Sequence, residues 1–177
     1  MAHQMGRLAR ALQDMPAGAV AADPAWRTPE ALRRAAGGWL ELLVADEHLV
    51  REQRDSIRAS IERVCGSSWS ALPTHGDFVP ANVLMHRGKI AILLDVTGLA
   101  LRHPDVDRSW WDLVVRFHHP AEASRLARSF RRGFGAMHGG KPEGSNDVAA
   151  VRALQVAAAH GRATRGHAVT LLSSAIG

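Results

Sequence analysis

The spacing of apolar residues over the first third of the chain predicts three helices. Residues 1–15 carry an apolar stripe at helical intervals, formed by Met5, Leu8, Ala9 and Leu12. Residues 28–30 read Thr-Pro-Glu, which is a strong helix start with a capping hydroxyl, an early proline and an acid near the positive end of the helix dipole. We expect this helix to reach about Ala45, and a further helix to cover about 46–65 before Gly66 ends it.

The middle of the chain changes from helical to strand spacing. Residues 83–85 and 90–94 are short apolar runs, and the turn at 86–89 contains Gly88, which tolerates a positive φ. This pattern predicts one β-hairpin, and these are the only two strands that we expect.

Helical patterns resume after the hairpin and continue to the end of the chain. We expect helices at about 107–118 and 121–137, a glycine-rich loop at 138–145, and a last helix that Asn146 caps. That helix would run to about residue 174, with a break at Gly161 or Gly166. The predicted fold class is therefore mainly α (α+β), with one small β-hairpin near the middle.

Length and composition narrow the protein class. With 177 residues, of which 46% are apolar, the chain fits one domain with a real core. A single cysteine, Cys65, excludes an internal disulfide framework and favours a reducing compartment. The sequence shows neither a signal-peptide pattern nor a run of about 18 apolar residues, so we expect a cytoplasmic protein without a membrane partner.

The net charge of +5 raises the question of nucleic-acid binding. Arginine supplies most of this charge, and the arginines are spread over several helical segments rather than gathered in one tract. Solvated helix faces explain this distribution better than a nucleic-acid partner, which we do not expect.

Polar residues with chemical potential gather at the two ends of the predicted hairpin. Asp77 precedes it, Asn82 opens it and Asp95 ends it. Because the turn lies midway between them, antiparallel pairing places Asn82 beside Asp95. Their oxygen atoms suit Mg²⁺, and a nearby aspartate could orient a substrate hydroxyl, as phosphoryl transfer requires.

The stretch His-Gly-Asp-Phe-Val-Pro-Ala-Asn at 75–82 resembles the H-G-D-x-x-x-x-N catalytic loop of the aminoglycoside phosphotransferase and choline kinase-like family, which has a protein kinase-like fold. Further matches are Leu-Leu-Asp at 93–95, His-Pro-Asp at 103–105 and Trp-Asp-Leu at 111–113. The resemblance implies a helical C-terminal lobe with the hairpin at its catalytic site. It divides the single domain into helices at 1–74, a catalytic and metal-binding segment at 75–113, and C-terminal helices at 114–177.

The resemblance also implies roles for individual residues. Asp77 would be the catalytic base, and Asn82 and Asp95 would hold Mg²⁺ for ATP or GTP as the phosphoryl donor. His75 would support the loop by packing and backbone bonding, and Asp112 would brace the loop from the following helix. The nearby acids Asp105 and Asp107 could contact a cationic substrate, although the basic net charge favours another hydroxylated small molecule.

Residues 1–74 lack the features of the family's β-rich N-terminal lobe. They contain no G-x-G-x-x-G motif and no lysine, since the two lysines are Lys89 and Lys141. The sequence therefore predicts a C-terminal lobe without its N-terminal lobe, weak or inactive alone and able to self-associate through the exposed inter-lobe face. The alternative is a non-catalytic, pseudokinase-like remnant that acts as a binding module.

Two further groups of residues leave alternatives open. His118 and His119 could bind a metal, but neighbouring helical residues point about 100° apart, and a helix-end role is favoured. His160 and His167 would lie two turns apart on one straight helix, too far for one ion. Residues 110–111 are both tryptophan, so they could stack a substrate ring, although at least one is expected in the core.

Overall fold

The computed structural model describes residues 1–135, 145–160 and 165–176. Within these ranges the chain forms seven α-helices and four short β-strands. In chain order they are α1 (Ala2–Gln13), α2 (Pro29–Ala45), α3 (Arg51–Gly66), β1 (Leu72–Thr74), β2 (Val83–His86), β3 (Lys89–Leu93), β4 (Ala100–Arg102), α4 (Val106–His118), α5 (Ala123–Phe134), α6 (Ser145–Ala159) and α7 (Arg165–Ile176).

Four of the predicted helices lie where the apolar spacing placed them, namely α1, α2, α4 and α5. The predicted cap of α2 is present, because the Thr28 hydroxyl accepts a hydrogen bond of 3.2 Å from the N–H of Ala31. The fold is mainly helical, as the sequence predicts.

The boundaries of the remaining helices differ from the prediction. α3 begins at Arg51 rather than near residue 46, because residue 46 ends α2 and Glu47 adopts a left-handed φ of 58°. Asn146 lies inside α6 and is not its cap. The predicted division of the last helix is present, because α6 ends at Ala159 and α7 begins at Arg165, and Gly166 lies just inside α7. Gly161 and most of the predicted loop at 138–145 lie outside the described residues.

The predicted hairpin is confirmed as the antiparallel pair β2–β3. Arg87 and Gly88 form its turn with φ values of 49° and 76°, the left-handed conformations that a tight hairpin turn requires. The prediction missed a second antiparallel pair, β1–β4, whose strands have three residues each. Such short strands, one of them containing Pro73, leave too little alternation to detect.

The buried residues form two apolar clusters that share α4. One cluster fills the space between α2, α3, α6 and α7 and includes Trp26. The other joins α1 and α5 to the underside of residues 75–82 through Phe78, Trp111 and Phe130. Because Trp110 belongs to the first cluster and Trp111 to the second, α4 is packed on both sides directly behind the catalytic motif.

None of the helices in the described part of the chain has the length and apolar character needed to cross a bilayer.

Candidate active site

The motif at 75–82, which the sequence predicts to be the catalytic loop, lies between β1 and β2, and its first residues are buried. The His75 ring is fully buried, lies edge-on to Phe78, and has its Nε2 atom 2.9 Å from the carbonyl oxygen of Leu94. Gly76 has a φ of 85°, and a side chain there would press against the Arg102 guanidinium. Glycine therefore lets the chain turn sharply and bring the next residue, Asp77, toward the surface.

Asp107, at the start of α4, anchors this loop from behind. Its two carboxylate oxygens accept hydrogen bonds of 2.8 Å each from the backbone N–H groups of His75 and Gly76. Complete burial raises the pKa of Asp107, while these N–H donors and the positive charge of Arg102 oppose that rise. Asp107 therefore holds the loop in place.

This geometry corrects the prediction that Asp112 braces the loop. Asp112 lies farther along α4, and one of its oxygens is 3.7 Å from the Arg131 guanidinium of α5. Burial raises the pKa of Asp112, and Arg131 opposes the shift. Its carboxylate joins α4 to α5, whereas Asp107 contacts the catalytic loop.

The Asp77 carboxylate is held by two side chains. Its Oδ1 atom accepts a hydrogen bond of 2.8 Å from the indole N–H of Trp110. Its Oδ2 atom accepts one of 3.0 Å from the side-chain amide of Asn82, which also donates to the Asp77 backbone carbonyl at 2.9 Å. Asp77 stays partly exposed, so its orientation is fixed while it remains reachable from solvent.

Asn82 and Asp95 lie at neighbouring strand ends, as the hairpin geometry predicts. Val83 pairs with Leu93, and the N–H of Leu94 donates a bond of 2.8 Å to the Asn82 carbonyl. Asp95 is exposed and left-handed, with φ 51° and ψ 50°. That conformation is uncommon for a residue with a side chain and is concentrated at functional sites.

The donor atoms at these strand ends fit Mg²⁺. Because the amide nitrogen of Asn82 faces Asp77, its amide oxygen is the atom left for a cation, and Asp95 adds a carboxylate that also accepts a 2.7 Å bond from the Thr97 hydroxyl. No cluster of three or more His, Cys, Asp or Glu side chains in the described ranges could hold a metal alone. Mg²⁺ commonly takes one or two protein oxygens and completes its shell with water and phosphate.

The predicted substrate contacts Asp105 and Asp107 do not reach the surface of the site. Asp105 is buried and pairs with Arg108 at 2.7 Å. Burial raises its pKa, and Arg108 opposes the shift. Asp107 is fully buried behind the loop. Both acids are therefore engaged in contacts within the protein, and neither lines the cavity beside Asp77.

A cavity of about 400 Å³ opens beside Asp77, between the catalytic loop and helices α4, α6 and α7. Asp77 is the one carboxylate among its described lining residues. Four histidines also line it: His118, His119, His160 and His167. The remaining lining side chains are apolar, namely Val79, Pro80, Ala81, Trp110, Val114, Val115, Val156, Ala168 and Leu171.

Because α6 ends at Ala159 and α7 begins at Arg165, His160 and His167 lie on separate segments and line one cavity with His118 and His119. The rings of His118 and His167 lie 6.1 Å apart between centroids, and Phe117 packs edge-on against both. The prediction treated His160 and His167 as residues on one straight helix, and it therefore missed that they line a cavity with the α4 pair.

Arg152, on α6, is the main site residue that the sequence analysis missed. Its Nε atom donates a hydrogen bond of 3.0 Å to the Gly76 carbonyl, and its guanidinium carbon lies 5.6 Å from the centroid of the Trp110 ring. Arg152 and Gln155 are the only polar residues between Val148 and Ala159. A lone arginine in such an apolar helix is a usable signal, because a buried cation requires partners.

The outer side of the hairpin next to Asp95 is apolar and exposed. We define this apolar hairpin face by five side chains: Leu84, Met85, Ile92, Leu94 and Val96. Ile92 and Val96 are 52% and 53% exposed, whereas Val83 at the start of β2 is buried in the second apolar cluster. Apolar patches of this kind usually mark a surface that contacts another molecule or domain.

Comparison with solved structures identifies the fold. The chain is similar to the macrolide 2′-phosphotransferase MphH of Brachybacterium faecium, with 21% identity and a TM-score of 0.65 over 97% of this chain and 58% of that one. It is also similar to a type I macrolide 2′-phosphotransferase, with 15% identity and a TM-score of 0.60 over 99% of this chain and 57% of that one. No family model and no curated protein matches the sequence.

These similarities confirm the fold that the motif resemblance implied. The chain has the helical fold found in the C-terminal part of phosphotransferases with a protein kinase-like fold. It spans somewhat more than half the length of these two solved structures.

Proposed function

Starting from this phosphotransferase fold, we propose that the chain forms the acceptor-binding and base-carrying lobe of an enzyme that transfers the γ-phosphoryl group of ATP or GTP to a hydroxyl of a small molecule. The observation that carries the proposal is the placement of Asp77. Its carboxylate is fixed by Trp110 and Asn82 and lines a cavity large enough for a small-molecule acceptor.

In the proposed reaction Asp77 accepts the proton of the acceptor hydroxyl. The hydroxyl oxygen forms a bond to the γ-phosphorus, the bond from that phosphorus to the bridging oxygen breaks, and the nucleoside diphosphate leaves. Because the base is already oriented at the cavity wall, less conformational entropy is lost in reaching the transition state, and the activation free energy is lower.

Asn82 and Asp95 are the residues that would hold Mg²⁺. The ion would neutralise charge on the phosphates when it is bound. Asp95 presents its carboxylate at the exposed end of the hairpin, next to the apolar hairpin face, so the nucleotide would approach from the side opposite the acceptor cavity.

The chemistry of the cavity favours a bulky, largely apolar acceptor over a polycation. A polycationic aminoglycoside would find a single carboxylate among the described lining residues, whereas apolar side chains form most of the wall. The two solved structures compared above are named as macrolide phosphotransferases, and a macrolide is large, apolar and hydroxylated. We therefore propose macrolide-like alcohols as the first acceptors to test.

Phosphoryl transfer from radiolabelled ATP and GTP to a panel of acceptors, measured for this lobe joined to a nucleotide-binding lobe, tests this function. The panel contains macrolides, aminoglycosides and small hydroxylated metabolites, each with and without Mg²⁺. We expect Mg²⁺-dependent transfer to a macrolide-like alcohol and none to aminoglycosides. Transfer to aminoglycosides alone would contradict the acceptor assignment.

The non-catalytic alternative makes a different prediction in the same assay. A pseudokinase-like binding module would bind nucleotide or a protein partner through the apolar hairpin face and transfer no phosphate to any acceptor. Absence of transfer with the full panel would therefore overturn the proposed enzyme function in favour of this second candidate, which the exposed apolar hairpin face supports.

A further inference from the structure

A continuous chain of polar contacts runs from the interior of the protein to Asp77. The Trp26 indole N–H donates a 2.9 Å bond to the Gln155 side-chain oxygen, which also accepts a 2.6 Å bond from Arg152. Arg152 then contacts both the Gly76 carbonyl and the Trp110 ring, and Trp110 donates to Asp77. These contacts join α4, α6 and the segment before α2 that contains Trp26 to the loop at 75–82.

The contacts of Trp110 differ from those of an ordinary core tryptophan. Its neighbour Trp111 is fully buried, stacks on Phe130 with ring centroids 4.8 Å apart, and its indole N–H has no hydrogen-bond partner among the described residues. Trp110 is also buried, yet its N–H points at the Asp77 carboxylate and its ring lines the acceptor cavity. Two adjacent tryptophans thus have different surroundings.

We propose that Trp110 and Arg152 are positioning residues for the phosphoryl-transfer reaction, which fix the orientation of the Asp77 carboxylate toward the acceptor. This inference rests on the proposed function. Trp110 acts through its hydrogen bond to Oδ1, and Arg152 acts through Trp110 and the Gly76 carbonyl.

The charge of Arg152 also matches its surroundings. Burial, followed by the nearby Arg102, lowers the pKa of Arg152 to about 10, which leaves it protonated at neutral pH. The carboxylates of Asp77, Asp107 and Asp23 oppose that shift. A partly buried cation near these acids offsets their negative charge while it contacts the loop and the Trp110 ring.

The variant Trp110→Phe tests the role of the indole N–H while keeping an aromatic ring. Losing a hydrogen bond to a charged acceptor should lower kcat by roughly 10- to 100-fold, with the KM values for nucleotide and acceptor little changed. Trp111→Phe is the matched control, since it removes the same atoms from the next residue without touching Asp77. We expect that control to keep the wild-type kcat.

Two kinetic outcomes would overturn the proposal. One is a Trp110→Phe enzyme with wild-type kcat, and the other is an equal loss of kcat in Trp110→Phe and Trp111→Phe. The second outcome would mean that both residues act only through the general packing of α4.

A spectroscopic measurement separates this inference from the proposed function, because it needs no turnover. In the ¹⁵N-labelled protein the Trp110 indole N–H resonance should move when Asp77 is changed to Asn, because a neutral amide replaces the carboxylate acceptor. The Trp69 indole N–H, which donates to the Val64 carbonyl, serves as the internal reference and should not move. If the Trp110 resonance moves no more than that of Trp69, the contact is absent in solution and the proposal is wrong.

Arg152 is tested by a pair of substitutions. Arg152→Lys keeps the charge and should retain more kcat than Arg152→Met, which keeps only the aliphatic stem. Equal kcat for both variants, with wild-type stability, would remove Arg152 from the proposal. If Arg152→Met does not fold, the Trp110→Phe and NMR results still decide.

Discussion

The two halves of the candidate site are supported very differently. The base half comprises residues 75–77 with Asp107 and Trp110 behind them, and its backbone and carboxylate are held by hydrogen bonds to buried groups. The metal half comprises the β2–β3 hairpin and Asp95, and its outer side chains face solvent. Arg102 joins the halves, since it donates to the Gly98 carbonyl just after Asp95 and lies against Gly76.

This difference separates the part of the candidate site that the packing of the chain holds in place from the part that stays exposed. The carboxylate of Asp77 is held by the side chains of Trp110 and Asn82, so under the proposed function the base is preorganised before any ligand binds. Asp95 sits in a left-handed conformation on an exposed edge, so in the proposed metal site its geometry would depend on the cation and the nucleotide.

The largest expected effect is on the base half, in Asp107→Asn. The amide can accept from one backbone N–H but places its own N–H₂ against the other, which leaves a buried donor without an acceptor. We expect a loss of about 3 kcal/mol in the free energy of unfolding, measured by urea denaturation.

Asp95→Asn is the matched control in the metal half. Because Asp95 is exposed, its substitution should change the free energy of unfolding by less than about 0.5 kcal/mol. Equal effects of the two substitutions would contradict the contrast between the halves.

The second-largest expected effect is a pH dependence of the free energy of unfolding, which arises from His103 just before α4. Burial and the nearby Arg108 lower the pKa of His103 to about 4, and its Nδ1 atom accepts a 3.1 Å bond from the Asp105 N–H. A histidine with a lowered pKa in the folded state contributes stability above its unfolded pKa of about 6.5, which is lost as pH falls toward 4.

The His103→Asn variant isolates this contribution, since an amide oxygen can still accept from Asp105 but does not titrate. Between pH 7 and 4.5 the wild type should lose about 2 kcal/mol more unfolding free energy than the variant. The wild type and the variant are compared because the raised pKa of Asp105 has the opposite effect on stability in this pH range, and that effect is common to both proteins. Identical pH profiles would show that His103 is not buried as described.

The smallest effect on stability is expected on the apolar hairpin face. Leu84 and Ile92, which pair across the hairpin, are half exposed, and changing both to Ser should alter the unfolding free energy by about 0.5 kcal/mol at most per substitution. The same change should reduce self-association, measured by sedimentation velocity, because it removes exposed apolar surface.

Val83→Ser is the control on the same strand. Val83 is buried against the second apolar cluster, so its loss should lower the unfolding free energy by more than about 1 kcal/mol without changing self-association. Self-association that persists after the Leu84 and Ile92 changes would exclude this face as the contact surface.

The local parts of the site are the ones that the sequence predicted. Asp77, Asn82 and Asp95 lie on a continuous stretch whose hairpin pairing places the last two at neighbouring strand ends, so the motif and the turn chemistry were enough to locate them. The supporting residues come from distant helices. Trp110 is 33 positions and Arg152 is 75 positions beyond Asp77, and no local pattern specifies which side chains meet there.

The exchange of roles between Asp107 and Asp112 has a simple geometric reason. Both acids lie on α4, but five residues on a helix correspond to a rotation of about 140°, so one of them at most can face the catalytic loop. The motif match at 111–113 indicated Asp112, whereas the three-dimensional packing of α4 turns Asp107 toward the loop.

The central claim is that Asp77 is the base of a phosphoryl-transfer reaction. The most direct test is the single-turnover rate of transfer from radiolabelled ATP to a responding acceptor, measured for the wild type and Asp77→Asn. If Asp77 is the base, the rate should fall roughly 10²- to 10⁴-fold, with Mg²⁺–nucleotide affinity and the urea midpoint unchanged. A variant that transfers phosphate at the wild-type rate would contradict it.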